Sequence, residues 1–482
     1  MLDLIPWLDE TYIVEMGRLF LEGGCSPEST LLGLNESALR PLYYVGPLLQ
    51  ELAFRCFGIM GVRITPYVGL AAAYLCFRKR LRGDNDNKLC RPAQELVALS
   101  LLTSPILFQS VLLSRIDSWA IASVFAALAI LGAPNKSKDK VILFAGSFFA
   151  VLSLFIWPTS AVLLPAYPVF SFSKERPWEL LWFCLFAMVS LFLFTLPVVG
   201  DIYVFLLSFS RHYSEVTSPA TSFSGVMLPI AREIARSPFI ALLFCIGVVV
   251  WLRCRRIFTI AAFVVSFSVC TLTGLYTFRV VYLLPFIFFA GIDAVKALWT
   301  KCPRLVIGYL AATVVYGVLT GPVGHFGLSY PTLPKDIKET LSREIGTGPI
   351  RVFSPDHATY YIGRELGWKQ IGFARPNELD NADVLARVTR DCDAAVLRDF
   401  DPYVPFQQSC TPYGLFCRYV LAKAREEKGV LQDQKSWAAR FGGQFSFSWH
   451  APLRLEGFKE VARSGMIRVF KRCDNEKGDI RE

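Results

Sequence analysis

Histidine is scarce in this chain: His212, His325, His357 and His450 are scattered and form no ligand cluster. The 13 cysteines are an odd number and show no CxxC-type spacing, so the pattern indicates no metal site, although Cys410 and Cys417 could pair. No Gly-rich phosphate loop precedes a helix, and no internal repeat marks two similar halves. Charge is also low, at 19% of residues against 53% hydrophobic. A soluble domain of ordinary composition carries about 25%. These absences remove nucleotide-dependent and zinc-dependent chemistry from the first rank and leave a membrane protein.

What is present supports that class. Stretches of low charge and transmembrane length recur near 63–78, 93–112, 118–133, 141–156, 158–172, 178–199, 238–252, 257–275, 280–295 and 304–321. The stretches 141–156 and 158–172 meet at Trp157-Pro158 and read either as two short spans or as one kinked span. The segment 41–62 is apolar but contains Gln50, Glu51 and Arg55, so it reads as interfacial or re-entrant.

Basic residues fall after every second span: in "RKRLRGDNDNKLCR" at 78–91, at Lys136, Lys138 and Lys140, at Lys174 and Arg176, at Arg253, Arg255 and Arg256, and at Lys296, Lys301 and Arg304. These loops hold 17 Lys and Arg against five acidic residues, which accounts for the whole formal charge of +10. The positive-inside rule makes this face cytoplasmic, and no nucleic-acid partner is needed to explain the basic pI. Residues 1–40, the turn at 115–117, the loop 200–236, the turn at Arg279 and everything after 322 are then extracytoplasmic. Residues 1–40 lie outside without a preceding span. The expectation is either a first helix upstream of Met1 or a crossing by 41–62 with a cytoplasmic N-terminus.

After Gly321-Pro322 charges and turn residues reach globular density. "PIRVFSPDHATYYIGRELG" predicts a strand, a turn and a helix starting near Asp356. "NADVLARVTRDCDAAVLRDF" predicts a helix and then a buried strand, and "FSFSW" and "MIRVFKR" predict two more strands. The expected organisation is a mainly α, polytopic membrane part of about ten spans over 1–321, followed by an extracytoplasmic α/β domain over 322–482.

Three polar features share the outer face. Asp9-Glu10 opens an amphipathic segment with Ile13, Val14, Met16, Leu19 and Phe20 on one side and Glu15 and Arg18 three apart. Arg115 and Asp117 sit between two spans in "LLSRIDSWAIASVF", and Arg279 sits in "LYTFRVVYLLPF". Charges facing lipid are costly, about 2.5–3.5 kcal/mol each near the bilayer centre. They persist in a wet pocket or as ion pairs, and spacing alone leaves open whether Arg115 and Asp117 merely satisfy each other.

The order of "DE" with an amphipathic helix, "RPLYY", an R-x-D turn between spans and "FRVVYLLPF" resembles the GT-C glycosyltransferases that use polyprenyl-phosphate sugars. The nearest resemblance is to protein O-mannosyltransferases and bacterial aminoarabinose transferases. It covers residues 1–320 and extends to an extracytoplasmic α/β domain at the end. It implies transfer of a sugar from a polyprenyl-phosphate carrier to an extracytoplasmic glycan, lipid or protein acceptor, inverting at the anomeric carbon. By motif position it implies Asp9 as the base, Glu10 and Asp117 orienting the acceptor or holding a divalent cation (Mg or Mn, with Asp9 and Asp117 as ligands), and Arg279 with Arg115 and Tyr282 toward the phosphate and substrate. The resemblance also implies a first helix ahead of the acid pair. Where such enzymes often carry a Lys, this chain has Trp157-Pro158. The competing expectations are a transporter or lipid flippase and a non-catalytic envelope assembly protein. Transporters usually show internal repeats and midplane polar residues, and the sequence shows neither.

Overall fold

The computed structural model describes residues 8–22, 43–83, 89–112, 114–132, 137–201, 230, 233–234, 236–272, 277–323, 333–354, 359–371, 385–386, 389–398, 402–403, 446–447, 455–465 and 467–473. All four histidines and the Cys410/Cys417 pair lie outside the described residues.

Helix α1 (Leu8–Glu22) buries the predicted apolar face: Ile13, Val14, Met16 and Leu19 are all inside. Glycine inside a helix costs about 1 kcal/mol relative to alanine. Gly17 is explained by close approach, since a Cβ there would lie 2.2 Å from the Pro47 carbonyl oxygen. Helix α2 (Val45–Arg82) is broken at Gly58, whose φ of 61° and ψ of −153° suit glycine alone. The stretch 41–62 thus runs through the first arm and past the break, and the span expected at 63–78 lies in the second arm.

Helices α3 (Arg91–Leu102) and α4 (Pro105–Leu112) replace the single span expected at 93–112. Pro105 denies the residue before it the helical conformation, so the chain restarts there. Helices α5 (Asp117–Leu131) and α6 (Lys140–Ile156) match expectation. The region 158–172 does not form a regular span. It is a 3-10 turn (Pro158–Leu163) and a six-residue helix α7 (Ala166–Ser171), as its three prolines (158, 165 and 168) require. Then follow α8 (Pro177–Thr195), α9 (Pro238–Arg253), α10 (Ile257–Leu272), a short turn of helix α11 (Thr277–Val280), α12 (Leu284–Trp299) and α13 (Pro303–Val318). Helices α3, α8, α9, α12 and α13 carry Pro in their first turn, where its missing N–H is harmless.

Among the described residues four segments are long and apolar enough to cross a membrane: Val45–Arg82, Pro177–Gly200, Val281–Trp299 and Pro303–Gly321. Helix α8 leaves Leu181, Met188, Phe192 and Leu193 exposed, as a lipid-facing helix does. The chain is an integral membrane protein. Its core joins Phe77, Phe125, Tyr167, Phe170, Phe286 and Phe289, side chains from four helices.

The predicted basic loops gather at one end of the bundle. Arg80 donates to the Phe170 carbonyl, Arg78 to Glu95, Lys138 to Glu179 and Arg256 to Asp293. The remaining polar cluster lies at the opposite helix ends.

After α13 come α14 (Ile337–Glu344), β1 (Arg351–Phe353), α15 (Tyr360–Glu365), β2 (Lys369–Ile371), β3 (Ala394–Arg398), the short strands β4 (Pro402–Tyr403) and β5 (Ser446–Phe447), and the hairpin β6 (Phe458–Ser464) and β7 (Ile467–Arg472). The main sheet has the order β2-β1-β3-β7-β6, with β1 parallel to β2 and β3, and β7 antiparallel to β3 and β6. This mixed sheet is the α/β fold expected of the tail. The predicted helix near Asp356 is first seen as α15, from Tyr360. Of "FSFSW" the described residues are the two of β5.

Candidate active site

The Arg115/Asp117 turn is built by α4 ending and α5 beginning within a few residues. Ser114 adopts φ 53° in that turn. Asp117 is wholly buried, in the first turn of α5, where a carboxylate complements the helix dipole. Arg115 Nε donates to Asp117 Oδ2 at 2.6 Å, and Ser110 Oγ donates to the same oxygen at 2.7 Å. Tyr282 OH donates to Oδ1 at 2.5 Å. Three of the predicted residues therefore meet around one carboxylate. Arg279 precedes Tyr282 by one turn, on α11, and is partly exposed.

The Arg115 guanidinium also lies over the Trp157 ring, 5.2 Å from its centroid. Trp157 in turn meets Tyr43 edge-on at 5.1 Å. Trp157-Pro158, a departure from the pattern when read as sequence, is the aromatic cover of Arg115. A flat cation between a carboxylate and a ring is the environment a guanidinium suits and an ammonium does not.

The second centre lies on α1. The Asp9 backbone belongs to that helix, but its side chain is outside the described residues. Glu10 is fully buried and receives Arg63 Nε at 3.4 Å, from the second arm of α2. The next residues of that arm bind the start of α5: Ser118 Oγ donates to the Pro66 carbonyl and Trp119 Nε1 to the Thr65 carbonyl, both at 2.8 Å. The start of α5 and the Glu10 partner are thus joined through a few residues of α2, and α1 and α5 open on the same side of the bundle.

Sequence reasoning missed a third group. Tyr360 OH donates to Glu15 Oε2 at 2.6 Å. Arg364 clamps Glu51 with Nη1 on Oε2 at 2.6 Å and Nη2 on Oε1 at 2.9 Å, while Arg55 Nε holds Oε1 at 2.7 Å. The α15 helix of the C-terminal part is therefore docked on α1 and the first arm of α2. Burial opposes the Arg364 charge, but the Glu51 hydrogen bonds and nearby acids outweigh it and raise its pKa. Burial chiefly, then the Glu15 charge, holds the Tyr360 phenol well above its usual range, so it stays a neutral donor. The signal available in the sequence was Glu51 itself, an acid in an otherwise apolar stretch.

A divalent cation at Asp117 would have to share the carboxylate with three donors, and the side chain of Asp9, the other expected ligand, lies outside the described residues. Among the described residues no group of three His, Cys, Asp or Glu is arranged to hold a metal.

No protein-family model and no curated protein matches the chain. Among solved structures it is similar to ArnT from Cupriavidus metallidurans bound to undecaprenyl phosphate, with a TM-score of 0.55 and 10% identity over 97% of this chain and 94% of that one. At that identity the likeness is one of fold. The chain folds like ArnT over nearly its whole length.

Proposed function

We propose that the protein is a membrane glycosyltransferase that moves a sugar from a polyprenyl-phosphate carrier to an extracytoplasmic glycan, lipid or protein acceptor, with inversion at the anomeric carbon. The observation that carries this reading is the buried Asp117–Arg115–Tyr282 cluster, tied to the Glu10–Arg63 pair at one end of an ArnT-like fold. The ArnT structure holds undecaprenyl phosphate, which supports a lipid-phosphate donor here.

The chemistry follows from the residue types. The acceptor hydroxyl attacks the anomeric carbon as Asp9 takes its proton. The carbon–oxygen bond to phosphate breaks, and its electron pair leaves on the polyprenyl phosphate. One displacement from the opposite face inverts the centre, and the transition state has oxocarbenium character. The leaving phosphate needs a cation. Arg279, partly exposed at the mouth of α11, fills that role better than Arg115, which is committed to Asp117 and Trp157. Arg115 and Tyr282 then fix Asp117, which faces the substrate with Glu10. A carrier-linked donor needs no nucleotide motif.

This reading divides the chain into a catalytic membrane part, 1–321, and an extracytoplasmic α/β domain, 322–482, with the basic helix ends in the cytoplasm. Deletion of the gene should raise one lipid-linked sugar several-fold in mass spectra of envelope lipids. An unchanged lipid-linked sugar pool would favour the transporter or assembly readings instead.

A further inference from the structure

Ser114 holds φ 53°, in the left-handed region that residues with a Cβ seldom adopt. Such a conformation persists where its surroundings over-determine it, and it clusters at functional sites. Here it immediately precedes Arg115, whose Nε donates to Asp117 at 2.6 Å. Part of what determines it arrives from 64 residues away: Gln50 Nε2, on the first arm of α2, donates to the Ser114 carbonyl at 2.5 Å. Gln50 is wholly buried, and its Oε1 has no partner among the described residues. A leucine would fill such a place without burying an unpaired amide oxygen. The amide is therefore held for the bond it makes to the turn.

The arm that carries Gln50 is itself fixed on three sides. A Cβ on Gly46, one turn before Gln50, would lie 2.0 Å from Ile116 Cδ1 and 2.4 Å from the Ile156 carbonyl oxygen. Ile116 lies between Arg115 and Asp117, and Ile156 precedes Trp157, the cover of Arg115. On the second side Gly17 of α1 meets the Pro47 carbonyl. On the third, Arg364 of α15 takes Glu51, the residue after Gln50, with both terminal nitrogens. Gln50 thus reaches the turn from a frame that α1 and the C-terminal part hold in place.

We propose that Gln50 is a positioning residue for sugar transfer: its amide pins the Ser114 carbonyl, and the pinned turn keeps Arg115 and Asp117 in the arrangement the reaction uses. The inference rests on the glycosyltransferase reading and deepens it. Gln50 acts through the turn rather than on a reacting atom. Its loss therefore disturbs the alignment of the site more than the binding of the donor.

The test compares full-length wild type, Gln50→Met, Ser114→Gly and the double variant. Membranes of a deletion strain supply the acceptor, the lipid-linked sugar extracted from that strain is the donor, and rates are taken per folded molecule. Methionine keeps the length of the side chain and removes the hydrogen-bond donor. Gln50→Leu provides a second side chain without the donor if methionine prevents folding. Misalignment slows the chemical step, so Gln50→Met should lower the maximal rate about tenfold or more while the donor KM stays within about twofold. Glycine adopts a positive φ without a Cβ clash. Ser114→Gly alone should therefore transfer at close to the wild-type rate, and in the double variant it should restore most of the lost rate. An amide that merely stabilised the bundle would gain nothing from a glycine at 114.

A wild-type maximal rate in both Gln50 variants overturns the proposal. So does a slow rate that Ser114→Gly fails to restore, because the amide then acts somewhere other than the turn. A raised donor KM with the maximal rate intact also overturns it, since that places Gln50 against the donor. Wild-type protein that transfers no sugar sinks the transferase reading itself, and this one with it.

Discussion

Tyr282 OH and Asp117 Oδ1 are 2.5 Å apart although 165 residues separate them in the chain. The contact joins the turn before α12 to the first turn of α5, and it holds the carboxylate against Arg115 and Ser110 on its other oxygen. A buried carboxylate so held has one orientation.

Replacing Tyr282 with Phe removes one of the three donors and keeps the ring. A buried hydrogen bond to a charged group contributes about 1.5–3 kcal/mol. The expected outcome is a lower melting temperature by several degrees and activity reduced at least tenfold, read by thermal unfolding and clearance of the lipid-linked sugar. Asp117→Asn goes further, because it removes the carboxylate charge that the buried Arg115 cation pairs with, an imbalance of about 3–5 kcal/mol.

Gly17 sets how closely α1 lies on α2. A Cβ at that position would come within 2.7 Å of the Glu51 Cβ as well as striking the Pro47 carbonyl. Gly17→Val should therefore push α1, and Asp9 and Glu10 with it, away from α5. Overpacking costs about 1–3 kcal/mol, but the loss of sugar transfer should exceed what that loss of stability explains. Activity per folded molecule is the measurement.

The bundle was legible in the sequence because lipid-facing helices need length and apolarity, which hydropathy reads directly. The R-x-D turn was legible too, since Arg115 and Asp117 are two residues apart. What escaped depended on contact across the whole chain. Nothing local says that Tyr360 reaches Glu15 across 345 positions, or that Trp157 covers Arg115. The break of 93–112 into α3 and α4 and the irregular backbone after Pro158 escaped as well, because hydropathy does not see proline. Strands β2 and β6 were missed because "KQI" and "FKEVARS" carry too much charge to alternate cleanly.

Arg364 should behave as the fastener of the C-terminal part. Arg364→Gln leaves Glu51, which is fully buried, with Arg55 alone. Removing one partner of a buried pair destabilises by about 3–5 kcal/mol. Limited proteolysis should release the C-terminal part from the variant faster than from wild type, and equal rates would show that α15 is held by other contacts.

Cys392 reports on the sheet. Burial pushes its thiol from the ordinary 9.0 up to about 12. A thiol whose pKa is raised on folding supports the fold below its unfolded pKa, and that support is lost as pH climbs from 9.0 toward about 12. The C-terminal part should accordingly lose stability across that alkaline window, and Cys392→Ser should flatten the dependence. At neutral pH the same thiol should resist alkylation until the sheet is unfolded.

The most direct test of the account is Asp9→Asn in the reconstituted full-length protein, assayed for transfer of the sugar from the lipid-linked donor that accumulates in the deletion strain. The account predicts a fall in transfer of at least a hundredfold, as removal of a general base requires, with donor binding and melting temperature preserved. Transfer at the wild-type rate would contradict it.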